Sequence, residues 1–220
     1  NLFGHNMLAI RVLPALSVAA TVFMTGLLAR RMGGGTVSML LAALAVALMP
    51  VFLIFCSFYS MNAYEPLILV SVVYFLVKMV RDEDPRCWIP VGFLSGIGLM
   101  MKHTFVLYGL ALVIGLLVSG QRRQLFNRWL LLGGAAAFLV LLPNLVWQLV
   151  HDFPSLELYR NSFSSKNIEK GYLEIFLEQV IIVNPAAAGL WLTGIAALFF
   201  RKGKPFRFMG YAYFFLLLVM

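Results

Sequence analysis

Apolar runs that approach or exceed the length needed to cross a lipid bilayer recur along the whole chain, and they constrain its fold more than any other feature. A helix needs about 20 mainly apolar residues to span a hydrocarbon core of about 30 Å. Of the 220 residues, 62% are hydrophobic and 12% are charged, about half the charged share of a typical soluble domain. The runs are continuous rather than alternating, which favours helices over the strands of a membrane barrel. We therefore predict an all-α, polytopic transmembrane helix bundle.

The runs divide the chain into about eight predicted membrane segments within one membrane domain, residues 1–220. Several hold only about 14–16 residues, which is short for a helix that crosses the whole core. The chain starts at Asn1 rather than at a methionine and stops inside an apolar run, so we interpret it as part of a longer protein. The predicted segments are 8–29, 36–58, 65–80, 88–101, 104–119, 129–150, 185–200 and 208–220.

Basic residues are concentrated in four of the connections between these segments. Those four carry twelve of the seventeen Lys and Arg, and the positive-inside rule assigns them to the cytoplasm. The chain ends and residues 59–64, 102–103 and 151–184 then face the periplasm or exterior, as expected in a bacterial inner membrane. Because the net charge of +8 is dispersed in short clusters, it does not indicate a nucleic-acid partner. The basic connections are 29–35, 78–86, 121–128 and 201–207.

A lysine and a histidine interrupt the apolar stretch between the basic connections 78–86 and 121–128. Both connections are predicted to be cytoplasmic, so the number of crossings between them must be even. A single helix of about 32 residues would also be about 48 Å long, well beyond the bilayer core. We therefore predict two short helices that meet at Lys102 and His103, at the outer tip of a hairpin.

The segment 151–184 is the one sizeable predicted loop, and it contains an amphipathic stretch. In residues 171–183 the apolar side chains fall near one helical face, and Glu174 and Glu178 form an i, i+4 pair on another. This pattern is typical of a helix that lies in the membrane interface. The apolar face consists of Tyr172, Ile175, Phe176 and Val180.

The charged pair at the hairpin tip has two interpretations. A lysine at a helix end often extends to the interface and contacts lipid phosphate without a further function. The outer side is otherwise poor in positive charge, however, so Lys102 would attract an anionic group with little competition, and an ammonium binds phosphate as a point charge. His103 either hydrogen-bonds a carbonyl group or joins that phosphate site.

A carboxylate begins another predicted crossing on the same outer side. Glu65 is either an N-terminal carboxylate favoured by the helix dipole or an acidic group that orients or deprotonates an acceptor. Asn62 and Tyr64 would add hydrogen-bonding groups beside Glu65. Arg11, near the outer end of the first crossing, is either an anchor or a bidentate phosphate ligand.

Other site motifs are not supported by their spacing. The glycine-rich residues 33–36 lack the Gly-Lys-Ser/Thr of a P-loop. The three histidines have no HExxH or CxxC companion, so a divalent metal is possible but is not indicated. Cys56 lies in an apolar run and Cys87 in a basic connection, so neither indicates a disulfide or a metal site. No cofactor is predicted with certainty.

Three stretches of the chain resemble the membrane core of the GT-C glycosyltransferases. The matching pieces are GHNMLAIRVLPALSVAATVFMTGLLARRMGGG, FYSMNAYEPLILVSVVYFLVKMVRDEDPRCWIPVGFLSGIGLMMKHT and LLPNLVWQLVHDFPSLE. The resemblance is to the protein O-mannosyltransferases and the aminoarabinose transferases of lipid A, glycosyltransferase family 39 in the broad sense. It implies a GT-C type membrane fold and transfer of a sugar from a polyprenyl-phosphate carrier to a lipid, glycan or protein acceptor on the outer face of the membrane.

The resemblance also implies roles for the candidate residues. The main catalytic acid of such enzymes lies in the first outer loop, which would precede Asn1 together with the first helix. Glu65 matches a second acidic residue at the start of a later crossing, and Asn62 and Tyr64 beside it would contact the acceptor or a sugar. Lys102, after a glycine-rich apolar segment, and Arg11 match basic residues that we assign to the carrier phosphate. A zinc site at His103 would need a ligand from the missing loop.

A polytopic transporter or lipid flippase is the alternative function. Such proteins favour broken helices, charges at the membrane midplane and inverted repeats. Here the candidate charges gather at one face and no repeat is visible, which favours the transferase. A scaffold subunit without chemistry is a third possibility.

Overall fold

The computed structural model describes residues 7–55, 59–166, 171–200 and 203–219; Cys56 lies outside these residues. Within these ranges the regular structure is helical, without a strand. Short 3-10 turns join several helices, at Met61–Ala63, Pro85–Cys87, Arg122–Gln124, Pro185–Ala187 and Lys204–Phe206. The α-helices are α1 Met7–Arg31, α2 Thr36–Ala47, α3 Pro50–Phe55, α4 Glu65–Asp82, α5 Trp88–Met101, α6 Phe105–Val118, α7 Arg128–Val150, α8 Pro154–Lys166, α9 Tyr172–Val183, α10 Ala188–Phe199 and α11 Arg207–Val219.

The all-helical class predicted from the sequence is confirmed for the described residues, whereas the count of eight crossings stays a prediction. Three described helices are long and apolar enough to cross a membrane: Arg11–Arg31, Met61–Asp82 and Arg128–Val150. The number rises to four if Leu173–Val183 and Pro185–Phe199, which bend by 99° at their junction, form one span. A polytopic bundle is thus consistent with the helix lengths.

The predicted segment 36–58 is not one continuous helix. α2 ends at Ala47, and α3 begins at Pro50. Proline has no N–H to donate and disfavours helical backbone in the residue before it, here Met49. With 12 residues, α2 is about 18 Å long and does not reach across a bilayer core by itself.

The packed core is built around α4, which contacts both α1 and α5. The buried side chains of α4 recur every three or four residues, the spacing that places them on one face of a helix. They include Ile68, Val72, Leu76 and Met79, and Leu76 and Met79 are almost completely buried.

Glycines allow the closest helix contacts. A Cβ atom on Gly92 of α5 would lie 1.9 Å from the carbonyl oxygen of Gly133 on α7, and one on Gly115 of α6 would lie 2.2 Å from the Phe208 carbonyl oxygen on α11. Small residues at helix interfaces are typical of bundles in membranes, where backbone approach and van der Waals packing hold helices together. α5 therefore packs mainly on α7, and α6 mainly on α11.

The predicted pair of short helices is present. α5 ends at Met101 and α6 begins at Phe105, so the chain breaks at the lysine and histidine as the sequence predicts. Trp88 at the start of α5 and Leu116 near the end of α6 line one cavity together with Leu76 of α4. The start of α5 thus lies beside the end of α6, as it does in an antiparallel hairpin.

The connections after α1, α4 and α6 meet at one end of the bundle, which we call the basic end. Arg31 forms an ion pair with Asp82, and the Trp88 indole N–H donates to the Gln124 carbonyl group (2.7 Å). The opposite end, which we call the turn end, contains the turn between α5 and α6 and the start of α4. The connections 78–86 and 121–128 therefore share one end, as the even number of crossings requires.

The predicted loop 151–184 contains two helices, α8 and α9, of which the sequence predicts only α9. α9 and α10 meet at a sharp bend, where Asn184 has a positive φ of 99°. The Asn184 side chain caps the turn that follows by accepting the Ala186 N–H (3.0 Å). The position of α9 in the membrane interface stays a prediction.

Candidate active site

Glu65 is the first residue of α4, and the 3-10 turn before it is tied to α1. Ser17 of α1 donates its hydroxyl to the Ala63 carbonyl oxygen (3.0 Å). Ser60 caps the turn by accepting the Asn62 backbone N–H (3.3 Å). These two bonds fix where α4 starts, so the carboxylate of Glu65 lies at the N-terminal end of the α4 dipole, which is a favourable place for a negative charge.

Lys102 follows the last residue of α5, and its backbone forms the turn. Its N–H donates to the Gly98 carbonyl (2.9 Å), and its own carbonyl accepts the Phe105 N–H (2.9 Å). The Phe105 ring lies 2.7 Å from where a Cβ atom of Gly98 would be, so glycine is needed there. Lys102 itself is extended, with φ −156° and ψ 117°. Lys102 faces Glu65 of α4, whereas His103 contacts Tyr159 of α8, so the two side chains meet different helices.

Glu65 and Lys102 form an ion pair at the turn end. Lys102 Nζ lies 3.3 Å from Glu65 Oε2, and the two side chains are 37% and 13% exposed. The distance exceeds the roughly 2.7–2.9 Å of a strong charge-assisted hydrogen bond, and the bond uses one of three ammonium donors. Glu65 Oε1 is buried and has no hydrogen-bond partner among the described residues. The pair therefore leaves ammonium donors of Lys102 for an anion, and one buried carboxylate oxygen of Glu65 without a described partner.

Two tyrosines lie next to this ion pair. The Tyr64 hydroxyl is buried, and its ring meets Tyr59 edge-on with a centroid distance of 5.8 Å. Tyr108, early in α6, lies close enough to Glu65 to interact with its charge. Asn62 is half-buried in the adjacent turn. The predicted residues Asn62 and Tyr64 thus lie in the chain segment that leads into Glu65, whereas Tyr108 was not predicted.

Arg11 is not joined to the ion pair. Its side chain is exposed on α1 and forms no hydrogen bond or ion pair with any residue that the structure describes. Arg11 precedes Ser17 by six positions, which correspond to about 9 Å along the helix axis. Arg11 therefore lies nearer the N-terminus of α1 than Ser17, the residue that contacts Ala63. Its role as a phosphate ligand stays a prediction.

His103 lies beside α7 and α8. Its ring meets Tyr159 edge-on, with a centroid distance of 6.0 Å. Both line a cavity of about 220 Å³ together with Asn144 and Gln148. The sequence analysis gave no role to Tyr159 or to the two amides. The sequence signal that could have indicated this cavity was the pair of amides in α7. They lie four residues apart in an otherwise apolar helix, a spacing that places them on one face.

Metal and thiol chemistry have little support in the described part of the chain. It contains no group of three or more His, Cys, Asp or Glu side chains that could hold a metal ion. Cys87 is buried before α5, and this burial raises the pKa of its thiol. The thiol is therefore protonated at neutral pH, unlike the thiolate that acts as a nucleophile or metal ligand.

Comparison with known proteins identifies the family. Residues 1–147 match the profile of the family described as dolichyl-phosphate-mannose-protein mannosyltransferase. This region includes α1 to α6 and most of α7, and therefore both members of the ion pair. Neither a curated protein nor a solved structure gives a significant match. Because the profile covers more than half of the sequence, the chain belongs to the dolichyl-phosphate-mannose-protein mannosyltransferase family of membrane glycosyltransferases.

Proposed function

We propose that this protein transfers a sugar from a polyprenyl-phosphate carrier to a hydroxyl group of a lipid, glycan or protein acceptor. The reaction takes place at the outer face of a bacterial inner membrane, within one membrane domain, residues 1–220. The observation that carries the proposal is the ion pair at the turn end, where Lys102 Nζ lies 3.3 Å from Glu65 and Glu65 Oε1 has no described partner. The family match supports this function over the alternative of a transporter or flippase.

Lys102 binds the phosphate of the carrier in this proposal. Its side chain is 37% exposed, and the pair with Glu65 uses one of its three N–H donors. A positive charge beside the departing phosphate stabilises the negative charge that develops there in the transition state. Arg11 and His103 are further candidate ligands of the same phosphate.

The transfer is a single displacement with inversion at the anomeric carbon. The acceptor oxygen forms a bond to that carbon, the bond from the carbon to the phosphate oxygen breaks, and polyprenyl phosphate leaves with the electron pair. The hydroxyl proton passes to a carboxylate base, the role that the family resemblance gives to an acidic residue of an outer loop. Glu65 acts as the second acidic residue, and its Oε1 atom accepts a hydrogen bond from the acceptor hydroxyl. Asn62 and Tyr64 add polar contacts.

The experiment that tests this function compares lipid-linked and soluble donors. Proteoliposomes that contain the protein are supplied with radiolabelled sugars carried either by polyprenyl phosphate or by a nucleoside diphosphate. We expect label to enter acceptors only from the lipid-linked donors, and we expect Lys102→Ala to reduce this transfer. The matched control is Lys204→Ala, an exposed lysine after α10. Absence of transfer from every lipid-linked sugar, or equal transfer from the nucleotide sugars, would contradict the proposal.

A further inference from the structure

A polar cleft lies at the basic end, between the connection from α4 to α5 and the connection from α6 to α7. Its walls come from residues 83–85 and 120–127, and most of the surface that they expose in it is polar. Its volume of about 390 Å³ is within the roughly 300–1,000 Å³ that small-molecule sites occupy. The cleft therefore has both the size and the polarity to hold a charged ligand.

The position of the cleft places it at the surface of the membrane. α4 ends at Asp82 and α7 begins at Arg128, and both helices belong to spans that are long and apolar enough to cross a bilayer. The polar headgroups of a bilayer lie directly outside its hydrocarbon core. Residues that immediately follow one span and precede the other therefore lie at the depth of the lipid headgroups.

Two opposite charges line this cleft without forming an ion pair. Glu83 supplies a carboxylate from one connection, Arg123 supplies a guanidinium group from the other, and both residues are exposed. Neither side chain makes a hydrogen bond or an ion pair with a residue that the structure describes. Both charges are therefore available to a ligand that carries a negative and a positive group.

Several neighbouring polar groups are engaged with the protein itself. Asp84 caps the turn before α5 by accepting the Arg86 backbone N–H (3.1 Å). The guanidinium groups of Arg86 and Arg128 lie over the Trp129 ring. Asn127 caps α7, since its Oδ1 atom accepts the Trp129 N–H (2.9 Å). The charged side chains that the cleft presents to a ligand are thus Glu83 and Arg123.

Hydrogen bonds between and within the two connections hold the charged residues in place. The Trp88 indole N–H donates to the Gln124 carbonyl group (2.7 Å), which joins the start of α5 to the other wall. The Gln124 N–H donates in turn to the Gln121 carbonyl group (2.9 Å). A preformed site loses less conformational entropy when a ligand binds, so the two charges need little rearrangement.

An exposed aromatic ring lies in the same cleft. Phe126 is 79% exposed, although it stands in a connection that is otherwise polar. A small soluble ion leaves such a ring uncovered, whereas the glycerol and acyl part of a lipid would cover it. Apolar side chains beside basic ones are typical of surfaces that bind lipids.

We propose that this cleft binds the headgroup of a phospholipid that carries both a phosphate and a primary ammonium group. Arg123 binds the phosphate, Glu83 accepts hydrogen bonds from the ammonium group, and Phe126 contacts the glycerol and acyl part. A purely anionic headgroup is less suitable, because the Glu83 carboxylate would repel it. The site lies at the opposite end of the bundle from the Glu65–Lys102 pair and does not depend on sugar transfer.

The test uses three phospholipids with the same acyl chains and different headgroups. Phosphatidylethanolamine carries a phosphate and a primary ammonium group, phosphatidylcholine has methyl groups in place of the N–H donors, and phosphatidylglycerol has no ammonium group. The Kd of each lipid for the full chain in detergent is measured by native mass spectrometry. We expect phosphatidylethanolamine to bind about threefold more tightly than either of the other lipids, the effect of one exposed charge pair.

Two variants separate the phosphate contact from the ammonium contact. Arg123→Ala should weaken the binding of all three lipids about fivefold, the upper range for an exposed charge pair. Glu83→Gln should weaken only phosphatidylethanolamine and bring its Kd within about twofold of that of phosphatidylcholine. The matched controls are Arg122→Ala and Glu157→Gln, which alter exposed charges that do not line the cleft. Both controls should bind the lipids as the wild type does.

The proposal is overturned if phosphatidylethanolamine binds no more tightly than the other two lipids, or if Arg123→Ala binds it as the wild type does. An equal loss in Arg122→Ala would also overturn it, since the effect would then be that of diffuse surface charge. Soluble phosphoethanolamine should bind about tenfold more weakly than the lipid, because it leaves Phe126 uncovered. Equal binding of the soluble headgroup would overturn the assignment to a membrane lipid.

Discussion

The two ends of the bundle each hold an ion pair, and the pairs differ in burial. At the basic end the side chains of Arg31 and Asp82 are 29% and 37% exposed, so both charges keep much of their contact with solvent. At the turn end Lys102 is likewise 37% exposed, but the carboxylate of Glu65 is only 13% exposed, and one of its oxygens has no described partner. An exposed pair contributes little to stability, whereas a buried charge is costly unless it is fully paired. We therefore interpret the Arg31–Asp82 pair as an anchor of the chain and assign the Glu65–Lys102 pair to sugar transfer.

The two ion pairs also differ in the amount of positive charge around them. Many basic residues accompany the Arg31 pair, and the Trp129 ring lies beside the guanidinium groups of both Arg86 and Arg128, at 5.7 and 5.3 Å. Positive charges clustered at a helix-bundle end are typical of topology signals. Among the described residues Glu65 forms its ion pair with Lys102 alone, so an anionic ligand at this site meets the Lys102 ammonium. The following predictions test this contrast.

The largest expected effect concerns the packing that holds both ends in place. Gly92→Ala would put a Cβ atom 1.9 Å from the Gly133 carbonyl oxygen, so α5 and α7 must move apart. We expect a loss of about 3 kcal/mol of stability, at the upper end for overpacking, seen as a lower Tm and a lower yield in detergent. Gly109→Ala is the control, because its Cβ atom would meet nothing within 4 Å. Equal Tm values for the two variants would contradict the described contact.

The second prediction concerns catalysis at the turn end. Glu65→Gln keeps the shape of the side chain but removes the charge that acts on the acceptor hydroxyl. We expect kcat for sugar transfer to fall about 100-fold, within the range for acid–base groups, with donor KM changed little. Glu83→Gln at the basic end should transfer sugar at the wild-type rate. A Glu65→Gln enzyme that retains its kcat but binds donor poorly would reassign Glu65 to a structural role.

A smaller effect is expected for the phosphate ligand. Lys102→Ala should raise the KM for the polyprenyl-phosphate donor about tenfold, which corresponds to about 1.4 kcal/mol, while the protein still folds and inserts. Lys102→Arg should recover part of the affinity, since a guanidinium also binds phosphate. Steady-state transfer with varied donor concentration measures both. An unchanged donor KM in Lys102→Ala would show that Lys102 only anchors the helix end.

The smallest effect is expected at the basic end. Asp82→Asn removes the ion pair with Arg31, and an exposed pair of this kind contributes about 0–1 kcal/mol. Sugar transfer should stay within twofold of the wild type, and Tm should change little. A loss of transfer as large as that of Glu65→Gln would remove the contrast between the two ends.

Much of the arrangement at the turn end could be predicted from sequence because it depends on local composition. Two basic connections on one side require an even number of crossings between them, and this places Lys102 at the tip of two short helices. The start of α4 at Glu65 follows from Pro66 in the first turn. The contact between Glu65 and Lys102, 37 residues apart, depends on how α4 packs against α5, and side-chain chemistry alone does not specify that.

Other features needed the tertiary structure or were read incorrectly. Pro50 indicates the break between α2 and α3. The sequence prediction instead followed the continuous apolar composition of 36–58 and treated it as one segment. α8 was missed because its sequence is polar and lies in a predicted loop. Asn144 and Tyr159 share a cavity only because the turn after α7 folds α8 back beside His103, a geometry that no periodicity in α7 reveals.

The central claim is that the Glu65–Lys102 pair carries chemistry and does not merely hold two helices together. The most direct test is the double variant Glu65→Lys/Lys102→Glu, which restores an ion pair with its charges exchanged. Transfer from a labelled polyprenyl-phosphate donor and Tm are measured beside both single variants and the wild type. The account predicts that the exchanged pair recovers Tm relative to the single variants while transfer stays at least 100-fold below the wild type. Recovery of transfer together with Tm would contradict it.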